Sequence, residues 1–237
     1  MKKILLWIIK LPNIPDTDYK ATLNFKRYQT TDNITKIPFT RNDANEFVAH
    51  LPVQPAAGKM EYSISGSIDG QIFHIPEQGE DSIVLRYKDP VPNGFLIPHV
   101  LFMILTILFG LRAGLSALFE PKAMKKQTLI AFASMSIGGM ILGPIVQKYA
   151  FGDYWTGFPF GGDFTDNKML IMWFVWLIAV IVIRYYKRLS RTVVTLAAIV
   201  MTIVYLIPHS MGGSTLDYDK IDQGIHPSEA VKTGINK

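Results

Sequence analysis

The chain has 237 residues, a net charge of +5, 49% hydrophobic residues and no cysteine. The absence of cysteine excludes disulfides, thiolate metal sites, cysteine nucleophiles and covalently attached haem. The first 93 residues hold eleven Lys/Arg and eleven Asp/Glu, so the positive excess lies in the short loops between later apolar segments. That distribution is typical of a membrane protein and argues against a nucleic-acid partner.

The N-terminal region, residues 1–93, is predicted to be a small antiparallel β-sandwich. Short alternating runs recur from Ala21 to Lys88 at about 8–12 residue spacing, as in all-β domains. Asp69-Gly70 between two such runs is a strong signal for a two-residue hairpin. The apolar run at residues 4–9 is too short for a signal h-region of about 7–15 residues. We therefore expect export to rely on the first span or on a longer N-terminus.

Four later segments approach the ~20 apolar residues that a membrane span needs. They are Gly94–Phe119, Thr128–Gln147, Met169–Tyr185 and Thr192–Pro208. Glycine pairs four residues apart in the first two spans predict close helix packing. No Asp or Glu falls within these limits, which argues against an ion-coupled transporter. The fold class predicted is an α+β membrane protein, in which an N-terminal extracytoplasmic β-sandwich (1–93) precedes a four-helix transmembrane bundle (94–210) and a polar C-terminal tail (211–237).

The charges of the connecting loops predict the orientation of the spans. The first connection carries three lysines and the third carries Arg184, Lys187, Arg188 and Arg191, whereas the second connection is net acidic. Because Lys and Arg in short loops mark the cytoplasmic side, both basic connections should face the cytoplasm. The predicted location is the bacterial inner membrane, with the β-domain, the 149–167 loop and the C-terminus on the outer, periplasmic side.

The tetrapeptide Leu-Ile-Pro-His occurs at residues 96–99 and again at 206–209. The predicted topology puts His99 and His209 on one membrane face, at the outer ends of the first and fourth spans. Two facing imidazoles are a ligand set for haem iron. The alternative is that each histidine only ends a helix at the lipid interface, where an amphipathic side chain is tolerated without binding a ligand. His99 and His209 are the predicted metal ligands.

An aromatic loop lies between the two histidines in the sequence. Tyr154, Trp155, Phe158 and Phe160 alternate there with glycines, as expected for an apolar shelf beneath a planar ligand. The alternative is an aromatic belt at the membrane interface. Asp163, Asp166 and Asn167 are candidates to cap the third span, and capping is the role that we predict for Asp166 and Asn167.

Residues 152–176, from Gly152-Asp153-Tyr154-Trp155 through Lys168 to Trp173 and Trp176, resemble the tryptophan-rich loop of cytochrome c biogenesis haem-handling membrane proteins. In that family the loop lies on the outer face between two spans, with one outer-face histidine before it and another after it. The resemblance implies haem binding with His99 and His209 as axial ligands. The architecture as a whole also resembles an uncharacterised bacterial four-span family to which no activity attaches.

The predicted function is therefore haem binding or haem handling in the bacterial inner membrane, with haem b as the cofactor. The alternative is a non-enzymatic accessory subunit of an envelope or respiratory membrane complex, docked by the β-domain and the aromatic loop. The expected partners are membrane lipid and a membrane or periplasmic protein. No catalytic constellation can be assembled from the sequence, which favours a non-enzymatic role over an enzyme.

Overall fold

A computed structural model describes residues 6–12, 19–207 and 213–232. Its contacts divide the chain into two compact units. The first, called the β unit, combines the residues up to Lys88 with Leu216–Ala230. The second, called the helical unit, begins at Asp89 and continues to Thr215. The C-terminal segment thus returns to the unit in which the chain starts.

The described residues up to Lys88 form two antiparallel sheets. One has the strand order β1-β5-β4, and the other has the order β3-β2-β6-β7 with β8 also paired to β6. The strands are β1 (Leu6–Leu11), β2 (Tyr19–Arg27), β3 (Thr35–Pro38), β4 (Thr40–Arg41), β5 (Phe47–Pro52), β6 (Lys59–Ile68), β7 (Gln71–Ile75) and β8 (Ile83–Arg86). Residues 6–9 of the N-terminal apolar run lie in β1, which pairs with β5.

Alternate residues of these strands build the core of the β unit. Leu23 and Phe25 of β2 pack with Phe47 and Leu51 of β5 and with Met60 of β6. The period-2 spacing of Leu23 and Phe25 puts both side chains on one face of the sheet. The hairpin predicted at Asp69-Gly70 is confirmed, and both residues have the positive φ that such a turn requires. An antiparallel β region is therefore observed, whereas its description as a β-sandwich stays a prediction.

The C-terminal part of the chain contains strand β9 (Thr215–Leu216), helix α6 (Tyr218–Asp222), a 3₁₀ turn (Pro227–Glu229) and strand β10 (Val231–Lys232). Of these residues, Leu216–Ala230 belong to the β unit. Buried Tyr218 accepts a hydrogen bond from the Lys59 amide (2.9 Å) and donates one to the Lys59 carbonyl (2.8 Å). The Arg27 guanidinium bonds both Asp32 and Asp222. These contacts join segments 159 and 195 residues apart in the sequence.

Replacing Tyr218 by phenylalanine is expected to loosen this attachment. The change removes the hydroxyl that accepts from the buried Lys59 amide, at a cost of about 1–3 kcal/mol, whereas the Lys59 carbonyl keeps its hydrogen bond from the Tyr28 amide (3.0 Å). Hydrogen exchange followed by mass spectrometry should show the protection of the Lys59 amide falling about tenfold or more. Tyr28→Phe is the matched control, because the Tyr28 hydroxyl accepts only a 3.3 Å surface bond. Equal protection in the two variants would contradict the role of Tyr218.

The described residues of the helical unit form five α-helices and one π-helix. The elements are α1 (Asn93–Phe119), α2 (Pro121–Met135), a π-helix (Ser136–Leu142), α3 (Gly143–Phe151), α4 (Phe164–Tyr185) and α5 (Ser190–Leu206). Helix α2, the π-helix and α3 are continuous over 31 residues. Among the described residues, this segment, α1 and α4 are long and apolar enough to cross a membrane, and α5 is a shorter apolar helix. Membrane insertion is thus supported, while the fourth crossing stays a prediction.

The glycine pair of α1 allows close helix packing, as its spacing predicts, whereas of the pair in the second predicted span only Gly139 is in such a close contact, with Met169, and Gly143 is not. A Cβ atom at Gly110 would lie 2.6 Å from the Met201 side chain, and one at Gly114 would lie 2.5 Å from Ala198 Cβ. The backbone of α1 therefore packs directly against side chains of α5, and residues larger than glycine at these positions would prevent this close approach. Trp176 of α4 is fully buried at the centre of the unit.

The predicted limits of the third span need one correction. Helix α4 begins at Phe164, five residues before the predicted start, because Asp163 caps it there. Asp166 and Lys168 thus belong to a helix that is long enough to cross a membrane, and both are buried. The candidate span α4 therefore contains one acidic residue that the predicted limits of the third span excluded, so the argument against ion transport no longer holds for this helix.

Candidate functional site

The aromatic loop, residues 152–163, begins where α3 ends. Gly152 adopts a left-handed conformation (φ 95°), and its amide bonds the Lys148 carbonyl at 3.0 Å. This geometry is common at helix C-termini and favours glycine. The loop then closes on itself, because the Asp163 amide donates to the Thr156 carbonyl at 3.0 Å. The aromatic residues are therefore carried on a hydrogen-bonded turn.

Asp163 connects the aromatic loop, helix α4 and the chain beyond α5. Its Oδ1 accepts hydrogen bonds from the amides of Thr165 (2.8 Å) and Asp166 (3.3 Å), which caps α4. Its Oδ2 accepts from both the amide (2.7 Å) and the hydroxyl of Ser214. Burial raises the pKa of the Asp163 carboxyl, but these hydrogen bonds outweigh burial, and the pKa lies below its ordinary value of 3.8.

Asp166 and Asn167 do not cap α4, contrary to the sequence prediction. Asp166 Oδ2 instead accepts from the Thr156 amide (2.6 Å) and from Gln147 Nε2 (3.0 Å) of α3. Asn167 Oδ1 accepts from the Phe158 amide at 2.7 Å. Both side chains point back to the aromatic loop, because Asp163 already occupies the capping position. The first turn of α4 therefore holds the loop in place.

The predicted shelf residues lie on this fixed loop but do not enclose a cavity. Tyr154, Phe158 and Phe160 are 58%, 68% and 79% exposed. Trp155 is half-buried, and its indole nitrogen donates to the Phe158 carbonyl at 3.0 Å. A Cβ atom at buried Gly157 would lie 2.6 Å from Asp166 Cβ, so glycine is required for this close approach. The loop consequently presents an open aromatic surface.

His99 lies in the first turns of α1 and is half-buried. Its Nδ1 is 2.8 Å from the carbonyl oxygen of Gly138 in the π-helix. Since a carbonyl can only accept, this bond places the proton on Nδ1 and leaves Nε2 with its lone pair. Histidines that bind metals are commonly oriented by such a bond from the other ring nitrogen. Single π-helical turns occur frequently at functional sites.

His209 lies outside the described residues, so the distance between the two histidines is not measured. The residues on either side of positions 208–212 are anchored near the start of α4. The Ile207 carbonyl accepts from Lys168 Nζ at 3.1 Å, and the Ser214 hydroxyl lies 2.8 Å from that of Thr156. At the same end of the bundle, the hydroxyl of Tyr205 in α5 is 3.5 Å from the Met103 carbonyl in α1.

The structure thus brings together the loop, the start of α4 and the residues that flank positions 208–212. Sequence reasoning missed three polar residues that make this connection, Gln147, Thr156 and Ser214. Thr156 and Ser214 are buried, although a threonine between aromatic residues and a serine in a polar tail carry no distinctive sequence signal. In the described ranges no group of three or more His, Cys, Asp or Glu side chains is arranged to hold a metal ion.

Comparison of the chain with protein-family profiles, with curated proteins and with solved structures finds no match.

Proposed function

We propose that this protein is an integral membrane protein that binds haem b between His99 and His209. The observation that carries the proposal is the hydrogen bond from His99 Nδ1 to the Gly138 carbonyl. It fixes the imidazole in the tautomer whose Nε2 can donate a lone pair to iron. Among the described residues no hydrogen-bond partner occupies Nε2, so His99 is oriented and available as an axial ligand.

The packing of α1 against α5 supports His209 as the second ligand. Bis-imidazole ligation needs two histidines on facing elements. Gly110 and Gly114 bring α1 against α5, and Tyr205 of α5 reaches Met103 of α1 four residues after His99. Haem at this position would be held without a covalent bond, since the chain has no cysteine.

The aromatic loop fits a binding or handling role for haem better than a catalytic one. Tyr154, Trp155, Phe158 and Phe160 offer aromatic faces, and the loop is open on one side. An open site lets a ligand be exchanged with a partner, whereas chemistry on a bound intermediate needs a site that excludes water. The proposal therefore assigns ligand binding to the loop and no catalytic residue to the chain.

One observation favours the accessory-subunit function as a second candidate. Three large aromatic side chains stand exposed on a loop whose backbone is fixed by buried hydrogen bonds. Aromatic residues on a preorganised surface are typical centres of protein interfaces, because little conformational entropy is lost when they bind. In this case the loop would contact another membrane or periplasmic protein. A stable, colourless complex that Phe160→Ala disrupts would favour this second candidate.

The return of the chain to the β unit and the lengths of the helices support the proposal of four membrane crossings. The chain before α1 and the chain after α5 meet in the β unit, and a folded, hydrogen-bonded unit lies on one side of a bilayer. This supports an even number of crossings. Helix α5 has 17 residues and is about 26 Å long, close to the ~30 Å hydrocarbon thickness. Flanking aromatic and basic residues such as Tyr185, Tyr186 and Arg188 can extend its reach.

Fusions to a reporter that is active only outside the cytoplasm test this topology. Because the loops that carry Lys125 and Lys187 are basic, fusions after these residues should be inactive. Fusions after Asp153 and after Lys237 should be active. The reversed pattern would overturn the orientation alone. A Lys237 fusion that behaves like the Lys125 fusion would overturn the four crossings.

The experiment that tests haem binding is a visible absorption spectrum of the full chain purified from haem-replete cells. A b-type spectrum that depends on both histidines is the expected result.

A further inference from the structure

One face of α2 forms a surface groove of about 500 Å³. The groove is lined by Lys122, Lys125, Lys126, Leu129, Ile130 and Ala133. These positions are spaced i, i+3, i+4, i+7, i+8 and i+11, so they lie in a single stripe along the helix. The stripe is divided along its length, with three cations at one end and three apolar side chains at the other.

The three lysines carry charge that nothing nearby neutralises. In the part of the chain that the structure describes, none of them forms an ion pair or a hydrogen bond, and all three are exposed. The first turn of α2 contains no acidic residue, and Glu120 makes no side-chain capping bond. Cations at this position oppose the helix dipole. Residues that destabilise the element in which they lie, as these lysines do, are expected at functional sites.

The opposite face of α2 shows that the stripe points away from the protein. Met124, Gln127, Ala131 and Met135 on that face are buried against the other helices. By contrast Leu129 is 43% exposed. Since α2 opens a 31-residue segment apolar enough to cross a membrane, Leu129, Ile130 and Ala133 are positioned to face lipid chains.

We propose that this groove binds one anionic phospholipid. The lysine end would take the phosphate and its negatively charged headgroup, and one acyl chain would lie along Leu129, Ile130 and Ala133. The twelve residues from Lys122 to Ala133 span about 16 Å. The apolar end, from Leu129 to Ala133, covers about 6 Å of this length, so it can contact the part of an acyl chain that is nearest the headgroup. Three uncompensated lysines select an anionic lipid over a zwitterionic one.

The other basic groove of the helical unit offers a useful contrast. It is lined in part by Ala117, Leu118 and Arg191. The Arg191 guanidinium, however, donates to the carbonyls of Ala117 (2.8 Å) and Leu118 (2.9 Å), the last turn of α1. The Arg191 side chain therefore caps the C-terminus of α1. At α2, by contrast, the three lysines lie beside an exposed apolar stripe and make no such internal bonds among the described residues.

Native mass spectrometry of the full chain tests the proposal, with an equimolar mixture of phosphatidylglycerol and phosphatidylcholine as the probe. The wild type should retain phosphatidylglycerol about tenfold or more over phosphatidylcholine, because each lysine near an anionic headgroup contributes to binding. Lys122→Gln/Lys125→Gln/Lys126→Gln should lose this preference. Ala133→Trp keeps every charge but fills the apolar end of the groove, and it should lower retention of both lipids at this site.

The control is Arg184→Gln/Lys187→Gln/Arg188→Gln, which removes the same charge from another basic connection. It should retain the wild-type lipid preference. Equal loss in the control and the lysine variant would overturn the groove, since attraction to any basic edge would then explain retention. An Ala133→Trp variant that behaves as the wild type, or displacement of the lipid by millimolar inorganic phosphate, would also overturn it, because the ligand would then need no acyl chain. Colourless protein that still selects phosphatidylglycerol would overturn haem binding and leave this site intact.

Discussion

His99→Ala and His209→Ala are each expected to abolish the b-type spectrum or convert it to that of a haem with one imidazole. Loss of a group that only orients a metal ligand commonly costs 10–100-fold in affinity. We therefore expect loss of an axial ligand to weaken haem binding about a hundredfold or more. The measurement is a haem titration followed by visible absorption, with both oxidation states recorded. In His99→Ala the Gly138 carbonyl loses the imidazole but still accepts a hydrogen bond from the Gly143 amide, so we expect the π-helix to persist.

Controls for this experiment lie elsewhere in the chain. His50→Ala and His74→Ala change exposed residues of the β unit and should leave the spectrum unaltered. Trp155→Ala should weaken haem binding without changing the ligation, because Trp155 belongs to the aromatic loop and not to the ligand set. A colourless wild type, or a spectrum that survives both histidine changes, would contradict the haem site and favour the accessory-subunit function.

Asp163→Ala is expected to cause the largest loss of stability in the helical unit. The change removes the cap of α4, worth about 0.5–2 kcal/mol, and leaves the buried amide of Ser214 without its acceptor, worth about 1–3 kcal/mol. Neighbouring effects are not additive, so we expect a loss of about 2–4 kcal/mol in the free energy of unfolding. Denaturant titration of the detergent-solubilised full chain measures it. Asp153→Ala, in the same loop, should cost less than about 0.5 kcal/mol.

The Asp163 carboxyl also predicts a dependence on pH. Its pKa is lower in the folded protein than its ordinary value of 3.8. The stabilisation is therefore fully present above about pH 4–5 and is lost as the pH falls through the folded-state pKa. The difference in stability between wild type and Asp163→Ala should be constant from pH 5 to 8 and should shrink below pH 4. A difference that grows in acid would contradict this assignment, because it would require a raised pKa.

Short-range patterns in the sequence predict much of this fold. Apolar runs locate the three long helices, and Asp69-Gly70 locates a hairpin, because each signal depends on neighbours a few residues apart. The glycine spacing at Gly110 and Gly114 likewise predicts close helix contact. These features are local consequences of helix period, turn geometry and side-chain size. The predicted third span started too late because it was placed at the apolar run that begins with Met169, whereas the first turns of α4 contain the polar residues 165–168.

Long-range hydrogen bonds account for what the sequence does not predict. Thr156 and Ser214 are 58 residues apart, and each is an ordinary polar residue in its local context. The same holds for Tyr218 and the backbone of Lys59, which are 159 residues apart. Period and propensity carry no information about such pairs, because the contact exists only after the chain has folded. For the candidate site, the histidines and aromatic residues were predicted, whereas the polar residues that hold the loop were not.

The return of the C-terminal segment to the β unit fixes an order of events during synthesis. About 140 residues separate Lys88 from Ala230, which at 5–20 residues per second take roughly 7–30 s to translate. Throughout that interval the nascent β unit lacks Tyr218 and Asp222, the partners of Lys59 and Arg27. Its assembly can be completed only after Ala230 has been translated. A complete β unit therefore forms only in a chain whose helices between Lys88 and Leu216 have already been synthesised.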